Sequence, residues 1–228
     1  KQRLDIPYIR ENGKLVKSSW TKTLNLLIEK LKSFRPDQIA GIVGDLADLE
    51  MIYSFKLFFE NCIGSKNFEC RKERTYLNPQ ERKNYLFNSS INGLEESDFI
   101  LLVGSNPRLE ATILNARIRK AYLKNKMKIY SIGNNEDLTY PYRNIGFDTK
   151  IIEKIVSDSH EISTEIKKSK RPIVIIGESA LCGNKGQYVF ESIKKFLLKN
   201  NFLTKEWNAL NILTQQASRV GAIDLGLY

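Results

Sequence analysis

Four short apolar runs that each close on glycine limit what this chain can fold into. They are 39–44 (Ile-Ala-Gly-Ile-Val-Gly), 99–104 (Phe-Ile-Leu-Leu-Val-Gly), 128–133 (Lys-Ile-Tyr-Ser-Ile-Gly) and 172–177 (Pro-Ile-Val-Ile-Ile-Gly). Each is too short for a helix core and too hydrophobic for a surface, which is the pattern of a strand covered on both faces. Helical patterns separate them: 20–34, with Trp20, Leu24, Leu27, Ile28 and Leu31 on one stripe, then 49–63, 109–124, 149–156, 162–168 and 186–199, with a last helix at 207–220. Strand-helix alternation of this kind predicts an α/β domain with a doubly wound, mostly parallel, Rossmann-like sheet and right-handed crossovers. Ahead of it, the turn residues Glu11-Asn12-Gly13 predict a hairpin within 1–17, and 67–86 reads as loop with a short strand at 67–70. The division expected from these patterns is 1–36, an entry segment whose helix packs on the sheet, and 37–228, one α/β unit.

The run 99–104 is expected to be the central strand. Gly104 breaks it, Asn106 is an N-cap residue type and Pro107 suits the first helical position, where its missing N–H is no loss. The helix that follows has Leu109, Ile113, Leu114, Ala116, Ile118 and Ala121 at roughly helical period. Such a loop is where open α/β sheets bind ligands, beyond the carboxyl end of the strand. Arg108 stands in the first turn, where the helix dipole disfavours a cation by about 0.3–1 kcal/mol, so an anion or carboxylate is expected beside it. Two readings stay open: a bound anion, or pairing with Glu110, Glu50 or another subunit.

Other chemistry is harder to find. A chain of 228 residues can bury a core without disulfides, and Cys62, Cys70 and Cys182 are odd in number and lack zinc or iron–sulfur spacing. The net charge of +10 is diffuse, its one dense cluster (Lys167, Lys168, Lys170, Arg171) having no interleaved aromatics, so nucleic-acid binding is not expected. No run approaches the roughly 20 apolar residues of a membrane span. His160, the sole histidine, lies in the polar stretch Asp158-Ser159-His160-Glu161 and reads as a surface residue or helix cap. Dinucleotide, P-loop and nucleophile-elbow motifs are absent. The pattern is that of a scaffold, without catalytic or metal-ligating residues of its own.

Longer motifs carry a family resemblance. Arg3, Pro7, Arg10 and Gly13, followed by Trp20, resemble the domain opening of molybdopterin-dependent oxidoreductases. More specific are Asn84-Tyr85-Leu86, Ile91-x-Gly93-x-Glu95, the run L-L-V-G-S-N-P-R-L-E-A at 101–111, N-A-R-I-R-K at 115–120, Asp137-Leu138-Thr139-Tyr140, Trp207 with Asn211-Ile212-Leu213, and Ala222-x-Asp224-Leu225-Gly226. Together they resemble the large iron–sulfur subunit of respiratory complex I, the proton-pumping NADH:ubiquinone oxidoreductase, along essentially the whole chain. The resemblance implies a non-catalytic relative of a molybdopterin-binding domain in the peripheral arm. In the catalytic relatives the loop equivalent to Gly104, Ser105, Asn106, Pro107 and Arg108 lies against the pterin dinucleotide. A Cys or selenocysteine holds the metal where this chain has Arg71-Lys72-Glu73-Arg74, which offers no soft ligand. The expectation is therefore no cofactor in this chain, with a vestigial pterin loop, and iron–sulfur clusters and FMN in partner subunits. The partners implied are other peripheral-arm subunits, above all a separate chain carrying the iron–sulfur half of a split or shortened subunit, with membrane association only through the complex. The location implied is the matrix side of the mitochondrial inner membrane or the cytoplasmic face of a bacterial membrane. Thr112 departs from the family by standing where it usually has Pro. Other readings left open are a molybdopterin-dependent oxidoreductase fragment and a small anion- or nucleotide-binding module.

Overall fold

The structure is a computed structural model, and it describes residues 3, 5–44, 46–70, 74–133 and 135–228. Contacts divide the chain into two compact units, Lys1–Cys70 and Arg71–Gly226. By contacts the division falls after residue 70. The reason lies in 39–44: only Gly41–Ile42 is extended, and it pairs with Phe68–Glu69 instead of joining the large sheet.

The first unit opens on the expected hairpin, β1 (Tyr8–Glu11) against β2 (Lys14–Lys17) around a two-residue Asn12-Gly13 turn. Helix α1 (Trp20–Lys32) begins at Ser19, whose Oγ accepts the Lys22 N–H at 3.2 Å. None of its residues is buried. Strand β3 (Gly41–Ile42) leads to α2 (Leu49–Leu57), where Asp48 caps the Met51 N–H at 2.7 Å, and a wider helical turn carries the chain on through Phe58–Ile63 to β4 (Phe68–Glu69). Among the described residues of 3–70, the buried apolar ones are Ile9, Val43, Ile52, Phe59 and Cys70.

The second unit is the doubly wound sheet. Strand β5 (Phe99–Val103) is buried along its whole length, as its composition demands. Beyond it come α3 (Pro107–Glu110), α4 (Thr112–Asn125), β6 (Lys128–Ile132), β7 (Arg143–Asn144), α5 (Lys150–Val156), α6 (Glu161–Lys168), β8 (Pro172–Gly177), α7 (Glu178–Leu181), α8 (Gly186–Lys199), β9 (Leu210–Leu213) and α9 (Arg219–Asp224). The strands are parallel in the order β7-β6-β5-β8-β9. By chain order within the sheet this is 3-2-1-4-5, the dinucleotide-fold arrangement, with its switch point between β5 and β8. Alternate residues feed two cores. Phe99, Leu101 and Val103 meet Ile152, Ile162, Phe190 and Ile193 on one side; Ile100 and Leu102 meet Leu114, Ile118 and Leu138 on the other.

The segment 207–220 is not the expected helix. Residues 210–213 form β9 beside β8, and Asn211 there is fully buried: its amide donates to Val174 O of β8 (3.4 Å) and to Ser89 Oγ (2.9 Å), and its Oδ1 accepts the Ser89 N–H (2.8 Å). A helix could not satisfy that side chain. The outer edge of β9 is in turn covered by the chain before β5: the Ile212 N–H donates to Leu86 O at 3.0 Å, and Phe87 bridges Asn211.

The helix after β5 is also broken once. Ala111, at φ −152° and ψ 72°, separates α3 from α4 and makes Thr112 the first residue of a new helix. Proline is tolerated at such a position, and the preceding residue has already left the α region. Thr112→Pro is therefore expected to shift stability by no more than about 1 kcal/mol, and Ala116→Pro, four residues into the helix, to cost about 3 kcal/mol or more. Urea denaturation of the two variants measures the contrast.

Candidate functional site

Because every strand of the sheet is parallel, the loops after β5, β6 and β8 lie at one edge. That edge brings together the predicted residues Gly104, Ser105, Asn106, Pro107 and Arg108, the loop containing Glu136 and Asp137, and the start of α7. Pro107 opens α3 as expected. Asn106 precedes it but caps no backbone N–H with its side chain; its amide donates to Glu136 Oε2 at 2.6 Å instead. Ser105 Oγ donates to Glu110 Oε2 at 2.9 Å. Arg108 does not take Glu110: its Nη1 donates to Asp137 Oδ2 (2.7 Å) and to Asp137 O (2.8 Å). Asp137 is held below the usual carboxylate range by the Thr139 N–H it accepts, with Arg108 adding to the effect. All three side chains suited to meeting a phosphate are thus engaged by carboxylates.

One acceptor in the loop is left without a partner. Asn106 Oδ1 is buried and makes no hydrogen bond, and Glu136 fixes the amide's orientation because a carboxylate can face only the NH2 group. An unpaired acceptor offers nothing to a phosphate.

The crevice at the switch point is closed as well. Gly104, at φ +56°, packs so tightly that a Cβ there would lie 2.6 Å from Ala180 Cβ and 2.8 Å from Ala180 N; a Cβ at Gly177 would lie 2.3 Å from Gly104 O. Ser179 Oγ donates to Gly104 O at 2.5 Å. Two loops that would cradle a ligand between them instead touch. The residues present therefore do not fit a pterin dinucleotide in this arrangement: three carboxylates crowd the loop, and the start of α7 fills the crevice.

The sequence pattern marked the loop but missed its partners Glu136, Asp137, Ser179 and Ala180. The signal was there in outline, since parallel strands put the ends of 128–133 and 172–177 beside Gly104. The positions 71–73, where a metal ligand stands in catalytic relatives, lie outside the described residues. Among the described residues there is no cluster of three His, Cys, Asp or Glu able to hold a metal. His160 is a helix cap, its Nδ1 accepting the Ile162 N–H at 3.3 Å.

On the same edge, Asp224 of α9 accepts from Arg82 Nη2 (2.9 Å) and from Tyr85 Oη (2.8 Å), which hold its carboxyl below the usual range, Arg82 foremost. A carboxylate depressed in the native state stabilises the fold fully above the unfolded value near pH 4 and loses that contribution as pH falls through the native value. Asp224→Asn is expected to remove about 1 kcal/mol at neutral pH, screening of the half-exposed Arg82 included, and to flatten the stability profile below pH 4. Urea midpoints from pH 2.5 to 7 test this.

Residues 3–228 match the family described as Molybdopterin oxidoreductase. The chain belongs to the molybdopterin oxidoreductase family. This member is 39% identical over 225 residues to an NADH-quinone oxidoreductase subunit of Rickettsia bellii, a match covering 99% of this chain and 33% of the relative. It is 36% identical over 240 residues to the NADH-ubiquinone oxidoreductase 75 kDa subunit of Reclinomonas americana, covering 100% of this chain and 35% of that protein. The chain thus spans about a third of the length of these relatives. The α/β fold and the resemblance to the large subunit of complex I are in accord with these matches.

Proposed function

We propose that this chain is a structural part of the large subunit of an NADH-quinone oxidoreductase, and that it holds no pterin, metal or cluster of its own. Electron transfer then runs through iron–sulfur centres and FMN in partner subunits, and this domain supplies packing and assembly in the peripheral arm. The names of the relatives, and their alignment along essentially the whole of this chain, support the assignment to the complex. The observation that carries the scaffold reading is the occupation of Ser105, Asn106 and Arg108 by Glu110, Glu136 and Asp137. A pyrophosphate brought to that loop would be repelled by three carboxylates already bonded to Ser105, Asn106 and Arg108.

The iron–sulfur half of the subunit is proposed to lie on another segment or another chain, with membrane attachment made through the complex. Among the described residues no helix is long and apolar enough to cross a membrane. A position on the matrix face of the mitochondrial inner membrane, or the cytoplasmic face of a bacterial one, follows from that reading. The test is metal and pterin analysis of the purified assembly containing this chain. Iron without stoichiometric molybdenum, tungsten or pterin is expected; one molybdenum or tungsten per chain overturns the scaffold reading in favour of a catalytic fragment.

A further inference from the structure

The sequence pattern treats Leu109 and Ile113 as core positions, yet in the folded second unit they are 73% and 69% exposed. With Phe87, Ile91 and Leu213 they line an open apolar groove of about 520 Å³ beside the Gly104 loop. Large apolar side chains gathered in one groove mark a surface that is covered in use. The polar side chains on its walls are few, and Glu110 among them already accepts from Ser105 Oγ. Apolar faces of this kind belong to permanent associations more than to transient ones. Helix α4, which forms one wall, carries Arg117, Arg119, Lys120 and Lys124 and no acidic residue; Glu95 meets Arg117 and Lys120, each at 2.8 Å, and one carboxylate shared by two cations leaves the helix with net positive charge.

We propose that this groove receives an amphipathic segment from the remainder of the large-subunit polypeptide, its apolar residues against Leu109 and Ile113 and its carboxylates facing the basic side of α4. The inference rests on the chain's being part of such a subunit. Three observations select that occupant. Relatives aligned over the whole of this chain are about three times its length, so most of their polypeptide lies outside a domain of this kind and is available to cover it. The charge of α4 calls for an acidic flank. The scarcity of polar groups in the groove calls for an occupant that stays in place.

The test uses the complete assembly. The double variant Leu109→Glu, Ile113→Glu buries two carboxylates if the groove is covered and leaves them in water if it is not. Both native side chains face solvent in the isolated domain, so its melting temperature should stay within about 2–4 °C of the parent. Recovery of the variant with the other subunits is expected to fall about tenfold or more, equivalent to at least 1.4 kcal/mol of docking free energy. The control Leu198→Glu, on α8 and 60% exposed, should be recovered at the parental level. A photo-crosslinker at position 113 should label the remaining large-subunit sequence, whether it is one chain with this domain or another. Labelling of a different subunit, of a second copy, or of residues 3–70 overturns the proposal, as does full recovery of the double variant. Failure of the parent chain to purify with the assembly overturns instead the functional reading beneath it.

Discussion

Arg219→Ala is expected to lower the unfolding free energy of the second unit by about 3–5 kcal/mol, enough to lower its melting temperature by about 10 °C. Arg219 and Glu178 form an ion pair at 3.4 Å in which both side chains are almost wholly buried, at 6% and 9% exposure. The pair joins α9 to the start of α7 and borders a cavity with room for about one water molecule, about 20 Å³, lined also by Asn84, Tyr85 and Phe190. Removing the cation leaves a carboxylate with little solvent and one remaining hydrogen bond, from the Gln215 N–H at 3.3 Å. The cost is that of the orphaned charge more than of the lost attraction. A paired replacement, Glu178→Leu with Arg219→Met, should therefore return to within about 1 kcal/mol of the parent. Urea denaturation of the single and double variants decides the point. A single variant that loses less than about 1 kcal/mol would show that water already reaches the pair.

Gly104→Ala is expected to cost about 2–5 kcal/mol. Roughly 1–2 kcal/mol comes from holding a side chain at φ +56°, and about 1–3 kcal/mol from forcing its Cβ against Ala180. The second contribution has a partial remedy: Ala180→Gly removes the nearest of the three atoms it strikes, so the double variant should recover part of the packing share, with Ala180 N and Ser179 Oγ, each 2.8 Å away, still in place. An open ligand crevice would behave differently, since a new methyl group there would meet only solvent. Chemical denaturation of both variants thus measures whether the switch point is closed in solution. A Gly104→Ala variant losing under 1 kcal/mol would contradict the closed crevice on which the scaffold reading leans.

Much of the sheet was legible because burial on both faces leaves little choice of residue. Phe99–Val103, Lys128–Ile132 and Pro172–Gly177 are strands at the expected positions, and α8 runs over the expected 186–199. The strand at 210–213 was not legible, since Trp207, Leu210 and Leu213 sit at helical spacing and nothing local reveals that Asn211 will bond to Ser89, 122 residues earlier. The pattern at 39–44 misled for a related reason: its apolar residues suit a buried strand, yet Ile42 is 66% exposed and only two residues pair. In α1 the apolar stripe follows the helical period and no residue of the helix is buried, because periodicity fixes which face is apolar without naming what covers it. The site shows the same limit. Gly104 to Arg108 announce a ligand loop by themselves; Glu136 and Asp137, which occupy it, become its neighbours only through the parallel order of the strands.

The chain that lies along β9 also decides how this domain can be joined to anything else. With Leu86 accepting from Ile212 and Phe87 bridging Asn211, the backbone groups on that edge of the sheet are met from within. The opposite edge ends in β7, which is two residues long. Neither border offers the ladder of open N–H and C=O groups that lets a foreign strand extend a sheet or a sister molecule template onto it. Growth of the sheet beyond five strands therefore has little backbone to build on at either end, which leaves side-chain contact as the readier way to join the domain to larger structures.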